Sequence, residues 1–185
     1  MSDITQEIAV HIPGLRRYAR ALARDVVAAD DLVQECLTRA LGKLHLWRGG
    51  DLRAWLFTIL HNQHVNEVRS SVRRGTTVEL SDPKLRLNRP PNQDKVLELR
   101  DLDRALGQLP AEQRAVILLI GLEGMPYAAV GEVLGIPIGT VRSRLFRGRH
   151  ALRRLMDAEA DHPDLPTTPF WRPAATPRAL GIPAV

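Results

Sequence analysis

YAAVGEVLGIPIGTVRSRLFRGRHALRRLM, running from Tyr127 to Met156, contains two helical patterns separated by a turn rich in glycine and proline. Ala128, Val130 and Val133 or Leu134 give a short helix its inward side, and Gly135 to Gly139 supply the turn. A longer helix then starts near Thr140 and buries Val141, Leu145, Leu152 and Leu155 on one stripe. Gly135 can take the positive φ that ends a helix, Ile136 can plug the space between the two helices, and Thr140 can cap the second. This is the form of a helix-turn-helix, whose second helix lies in the DNA major groove. From Thr140 to Met156 the cations are Arg142, Arg144, Arg147, Arg149, Arg153 and Arg154, with no acidic residue among them. A solvated helix gains from mixed signs at i,i+4, so an unbroken positive face points to a polyanionic partner.

Outward from this segment, the composition agrees. The chain of 185 residues is 44% hydrophobic and only 4% aromatic, and it is rich in Leu, Ala and Arg. These propensities favour an all-α fold. A net charge of +5 adds a salt-dependent attraction to phosphates. The longest apolar run, Ala115 to Ile120, falls far short of the roughly 20 residues of a membrane span, so a cytoplasmic protein that avoids membranes is expected. Cys36 is the lone cysteine, and no Cys/His cluster has zinc-finger spacing. His61 and His64 stand at i,i+3 but nothing nearby completes a ligand set, so no metal or cofactor is expected and the pair reads as a polar face beside DNA. No nucleophile–base pair, phosphate-cradling glycine loop or paired carboxylates support an enzyme.

Upstream, helical spacing runs from Ile12 to about Arg74. One stripe holds Leu15, Tyr18, Ala19 and Leu22, and a second holds Val33, Leu37, Ala40, Leu41 and Leu44, in a helix opened by Asp30 and Asp31. Gly49, Gly50 and Asp51 form a turn and cap before a third face of Leu52, Trp55, Leu56, Ile59 and Leu60, with Trp55 in the core. Residues 75–94 lose the periodicity, carry Pro83, Pro90 and Pro91, and read as a flexible linker. Helical spacing resumes at Leu97, Leu99, Leu102, Leu106 and Leu109, and Pro110 starts a helix whose core is Val116, Ile117, Leu119 and Ile120. Six prolines after Met156 mark a disordered tail. The organisation is two small helical domains, 10–74 and 95–157, a linker at 75–94 and a tail at 158–185.

Two segments of the C-terminal domain resemble one family. IPIGTVRSRLFRGRHALR is similar to the end of region 4 in extracytoplasmic-function (ECF) sigma factors of the sigma-70 family, and LDRALGQLPAEQRAVILL to that domain's start. The resemblance implies that the helix after the turn reads minus-35 duplex, with Thr140 at its start. Arg142, Ser143, Phe146 and Arg147 would then face base edges or adjacent backbone, and Arg144 and Arg149 would meet phosphates. Guanidinium can bind guanine bidentately and an apolar ring can meet a thymine methyl. Phe146 has a second reading, as core.

DDLVQECLTRAL resembles the family's region 2.2 helix, which docks on the polymerase clamp. With Val33, Leu37 and Leu41 inward, Asp31, Gln34, Glu35 and Thr38 fall on other faces, open either to core polymerase or simply to water. LRAWLFTILHNQHVNEVRSSVRR looks like regions 2.3 and 2.4, which capture the unpaired minus-10 strand. Asn62, Asn66, Arg69, Arg73 and Arg74 would hold it, asparagine by donating to and accepting from a base edge, arginine by holding phosphates or stacking. The resemblance implies promoter DNA, core RNA polymerase and an anti-sigma factor as partners. Two departures stand out: the linker lacks the acidity common in the family, and the tail carries Phe170 and Trp171, either a docking motif or inert chain. The alternatives are a plain helix-turn-helix regulator, which leaves Asn62 to Arg74 unused, and a sigma mimic that sequesters a regulator.

Overall fold

The computed structural model describes residues 2–47, 49–74 and 93–159. The expected linker, up to Asn92, and the tail beyond Glu159, with Phe170 and Trp171, lie outside the described residues. Among the described residues the fold is all-α. Helix α1 spans Ser2–Ala23, α2 Val26–Gly42 and α3 Leu52–Arg73, with a single 3-10 turn at Leu44–Leu46. Helix α4 spans Gln93–Gln108, α5 Ala111–Ile117, α6 Tyr127–Leu134 and α7 Ile138–Glu159. Between α5 and α6 lies a π-helical turn, Leu118–Leu122.

In the first group Leu15, Tyr18, Ala19 and Leu22 of α1 meet Leu32, Val33, Cys36 and Ala40 of α2 and Leu56, Phe57 and Leu60 of α3. The Tyr18 and Phe57 rings lie 5.4 Å apart between centroids. Trp55 packs against this core only in part, because Leu56 and Phe57 take the centre. Leu41 is exposed rather than inward. Helix α2 starts four residues before the expected Asp30, at Val26, with Asp25 accepting from the Ala28 N–H at 2.7 Å. A cap serves only donors that have no helical partner, and Asp30 and Asp31 already lie one turn inside. Asp51 caps α3 as expected, accepting from Ala54 N at 3.0 Å, with Gly49 and Gly50 at positive φ before it.

In the second group Val116, Leu118 and Leu119 pack with Val130, Val133, Val141 and Leu145. Ala115, Leu118 and Leu119 share the buried face at ordinary i, i+3 and i+4 spacing with Val116 beside them, which leaves Ile117 and Ile120 only partly buried. Pro110 precedes the first residue of α5, and its carbonyl accepts from Gln113 and Arg114.

The two groups share one hydrophobic cluster, because α3 packs against α6 and α1 against the π turn. His61 and His64 sit at this seam. They are half-buried rather than displayed as a polar face to DNA, since the α3 phase that carries them turns towards α1 and the second group. Tyr18 Oη lies 3.1 Å from His61 Nδ1. Burial pushes the Tyr18 hydroxyl well above its ordinary value, so it stays protonated beside the ring. Burial, with His64 adding, lowers His61 to about 4. Burial, with Arg114 adding, lowers His64 to about 4.

Both imidazoles titrate below their unfolded value, so between pH 6.5 and 4 the unfolded chain binds more protons than the folded one. Their contribution is complete above pH 6.5 and is lost as pH falls towards 4. Thermal melts should show stability dropping between pH 6.5 and 5 by on the order of 1–2 kcal/mol per imidazole. The His61→Gln/His64→Gln protein should lose most of that slope; an undiminished slope would assign it to other groups.

Candidate nucleic-acid interfaces

The turn between α6 and α7 is closed by backbone bonds. Gly135 adopts φ 63° and ψ 37°, and the N–H groups of Gly135 and Ile136 donate to the carbonyls of Glu132 and Gly131 at 3.2 and 3.0 Å. That is the Schellman pattern, with Ile136 folded back onto the core. A Cβ on Gly131 would lie 3.0 Å from the Ile136 carbonyl oxygen, so the turn can approach α6 this closely only over a small residue. Helix α7 then begins at Ile138, two residues before the expected start at Thr140. The Pro137 carbonyl accepts from Thr140 and Val141 at 2.8 and 3.1 Å, and the proline itself needs no N–H partner. Thr140 is thus a half-buried first-turn residue and not the cap.

Val141, Leu145 and Gly148 form the buried edge of α7. A Cβ on Gly148 would come within 2.8 Å of Ile117 Cδ1, so glycine sets how closely α5 and α7 cross. The inward residue at the start of α6 is Ala129 instead of Ala128. This packing decides between the two readings of Phe146: the ring is 74% exposed and stands clear of the core. Arg142, Ser143, Arg147 and Arg149 are exposed around it. Arg147 Nε donates to the Ser143 carbonyl at 3.3 Å, which lays its guanidinium along the helix beside Ser143. Arg144 differs from its neighbours, being half-buried and ion-paired with Glu112 of α5 at 2.6 Å. The face therefore presents a guanidinium–aromatic–guanidinium surface of the kind that meets phosphates and base edges.

Helix α3 carries Asn62, Asn66, Arg69 and Arg73 along one exposed stripe, spaced i, i+4, i+7 and i+11. Arg74 ends the helix, its N–H donating to Ser70 and Ser71. The structure divides this set. Asn66 and Arg74 line an open groove of about 670 Å³ together with Asp31, Gln34, Glu35 and Thr38 of α2, whereas Asn62, Arg69 and Arg73 lie outside its lining. All four α2 residues are exposed. Glu35 pairs with Arg39 at 2.6 Å and Thr38 Oγ1 donates to the Gln34 carbonyl at 2.9 Å. Gln63, Glu67 and Ser70 complete the α3 wall. Burial, with Glu35 and Asp31 adding, raises the Glu67 carboxyl.

Three residues that take part in these contacts, Gln63, Glu112 and Glu123, have only a faint sequence signal. Gln63 is buried one turn after Leu60, on the stripe that Leu56 and Leu60 begin, where a polar residue interrupts the apolar pattern. Glu112 and Glu123 stand in segments where a carboxylate reads as ordinary surface. Glu123 has a fully buried side chain that joins Arg17 and Arg53. No group of three His, Cys, Asp or Glu side chains among the described residues is placed to hold a metal ion, and no described helix is long and apolar enough to cross a membrane.

Residues 8–61 match the family model for the Sigma2 domain of PhyR, and residues 99–152 match that for Sigma-70, region 4. The chain is 36% identical to the ECF RNA polymerase sigma factor EcfG of Rhodopseudomonas palustris (strain TIE-1), over 83% of this chain and 85% of that protein. It is also 36% identical to the ECF RNA polymerase sigma factor SigL of Mycobacterium tuberculosis (strain ATCC 25618 / H37Rv), over 77% and 82% respectively. Among solved structures it is similar to the sigma factor RpoE in complex with the anti-sigma factor NepR from Bartonella quintana. That match has a TM-score of 0.71 and 36% identity, and covers 86% of this chain and 99% of that one. CnrH in complex with the cytosolic domain of CnrY matches at TM-score 0.64 and 28% identity, over 84% of this chain and 88% of that one.

The turn's dependence on Gly135 can be read from stability. No atom lies within 4 Å of a Cβ built there, so Gly135→Ala meets only the backbone penalty of the left-handed region. It should cost about 1–2 kcal/mol in urea denaturation, and Gly135→Asn less. An alanine variant as stable as the parent would mean the turn is not held in this conformation.

Proposed function

The chain belongs to the ECF RNA polymerase sigma factors, and from that membership we propose that it binds core RNA polymerase in the cytoplasm and directs initiation at promoters with a minus-35 and a minus-10 element. One observation carries the promoter reading: α7 buries Val141, Leu145 and Gly148 and leaves Arg142, Ser143, Phe146 and Arg147 outward on a helix set by a rigid turn. In this reading residues 10–74 are the region 2 domain, 75–94 the linker, 95–157 the region 4 domain and 158–185 an appended tail. RNA synthesis belongs to the polymerase, and this subunit supplies recognition.

Arg142, Ser143, Phe146 and Arg147 contact base edges or the backbone beside them, and Arg149 a phosphate. Arg144 reaches a phosphate only by exchanging Glu112 for it. Thr140, in the first turn, meets the backbone. On the other domain Asp31, Gln34, Glu35 and Thr38 offer an acidic and amide surface to a basic element of the polymerase. Asn62, Asn66, Arg69, Arg73 and Arg74 hold the minus-10 strand. Trapping bases as they leave the stack offsets the few kcal/mol lost on unstacking, so opening needs no ATP from this subunit. RpoE with NepR and CnrH with CnrY support an anti-sigma factor as a further partner.

The match of residues 8–61 to the PhyR Sigma2 domain gives the sequestering mimic its one point of support. Against it stand the outward arginines and Phe146 of α7, for which a mimic has no use.

In vitro transcription with core polymerase on a genomic fragment library tests the proposal. New start sites sharing a pair of upstream elements are expected. No new starts, with neither core nor DNA bound, would leave the mimic. On a promoter so identified, Arg147→Ala should weaken binding by about 1–3 kcal/mol and relax preference at one minus-35 position. Unchanged preference would assign Arg147 to phosphate. Asn62→Ala should slow strand opening more than closed-complex binding; equal loss in both steps would contradict base trapping.

A further inference from the structure

Helix α7 carries Arg142, Arg144, Arg147, Arg149, Arg153 and Arg154 with no acid of its own before Asp157, yet one of these cations is already matched. A terminal nitrogen of Arg144 lies 2.6 Å from Glu112 Oε2, across the crossing of α5 and α7. The other five are exposed, and none of them has an acidic partner among the described residues. The pairing follows from how the two helices cross. Val141, Leu145 and Gly148 line the buried edge of α7, and a Cβ on Gly148 would come within 3.2 Å of Gln113 Cβ. Arg144 stands one turn before Gly148, at the rim of that contact, and Glu112 is the exposed neighbour of Gln113 on α5.

The two partners are unequal. The Arg144 side chain is 22% exposed and the Glu112 side chain 68%, so the guanidinium sits against protein while the carboxylate keeps much of its hydration. A hydrated carboxylate gains little from such a pair and leaves it cheaply, whereas a half-buried guanidinium needs an anion beside it, whichever anion that is. By helical position Arg144 borders the outward arc of Ser143 and Arg147, so a phosphate of DNA seated against that arc meets the same guanidinium. Cations bind duplex through the phosphates they neutralise. A guanidinium already matched by a carboxylate adds nothing to that number, and a carboxylate displaced from it stays close by and repels the backbone.

We propose that Glu112 sets the affinity of the DNA-binding surface: it neutralises Arg144 in the free protein and competes with a DNA phosphate for it, so that α7 grips duplex less tightly, and with a shallower salt dependence, than its arginines alone would give. The proposal deepens the promoter reading and rests on duplex DNA being the ligand of α7. Competition and positioning have opposite signs here. A carboxylate that only aimed Arg144 at its phosphate would strengthen binding, and its removal would weaken it. A competing carboxylate weakens binding, and its removal strengthens it. Because a phosphate contact carries no base information, the effect falls on affinity and leaves preference among minus-35 sequences as it is.

The experiment is a salt titration of promoter binding by holoenzyme assembled from core polymerase and the full chain, on a promoter found with the transcription library. Glu112→Gln keeps the length and an acceptor oxygen and removes the charge, and Glu112→Ala removes both. Glu112 is exposed, so both variants should unfold in urea as the parent does. Both should bind about three- to tenfold more tightly at low salt, and the slope of log K against log salt should steepen by up to about 0.9, the value of one further phosphate. Preference among minus-35 sequences should match the parent's. Arg144→Ala should cost little in the parent and should remove the whole gain in the Glu112→Gln protein. Binding unchanged or weakened in Glu112→Gln, or a gain that survives Arg144→Ala, overturns the proposal. If the library yields no promoter, the sigma-factor reading fails separately, and the full chain on a mixed-sequence duplex gives the same comparison. Tightening there supports the competition, and its absence, or no duplex binding by any variant, overturns it.

Discussion

A carboxylate with no exposed surface lies between the two halves of this protein, and the way the halves meet depends on the guanidinium groups around it. An unpaired ion costs several kcal/mol to remove from water, so Glu123 can occupy the seam only with Arg17 and Arg53 in place. Gly14 and Gly107 show the same requirement from the backbone side, each leaving room where an ion pair passes.

The rest of the seam follows that polar arrangement. Tyr18, His61, His64 and Arg114 lie within electrostatic reach of one another, and burial keeps both imidazoles neutral at physiological pH. A protonated imidazole next to Arg114 would add like charge to a site that already holds a partly buried guanidinium. The outward faces of α3 and α7 carry no such burden. Their cations and amides are solvated, and each helix is held by its apolar edge, which leaves the opposite edge available for nucleic acid.

Local features were legible where a single residue determines the outcome. Gly135 announces the end of α6 because few other residues tolerate its φ, and Asp51 announces α3 because a glycine pair precedes it and an apolar stripe follows. Boundaries were less legible where several residues could do the same work. Asp25, Asp30 and Asp31 are all competent caps, and only the extent of buried surface selects the first. Pro137 moved the start of α7 two residues ahead of Thr140, since a proline followed by residues able to coil needs no side-chain cap. In the continuous apolar run from Ala115 to Ile120 periodicity alone does not select the phase, and packing buries Ala115, Val116, Leu118 and Leu119 while leaving Ile117 and Ile120 at the edge. Phe146 could not be assigned from spacing alone, because rotation of a helix by one position exchanges an inward for an outward face.

The sequence by itself determined the all-α class, the helix-turn-helix with its glycine turn, the arginine face of α7 and the amide and arginine stripe of α3. Each of these is set by neighbours within a few turns of chain, where propensity, capping and periodicity act. Only the tertiary structure decided that Glu123 is buried, that Arg17 and Arg53 attend it, that His61 and His64 face the seam, and that the two helical groups close on one another. The physical reason is sequence distance: Arg17 and Glu123 are 106 positions apart, and no local pattern distinguishes a carboxylate in water from one that meets two distant guanidinium groups.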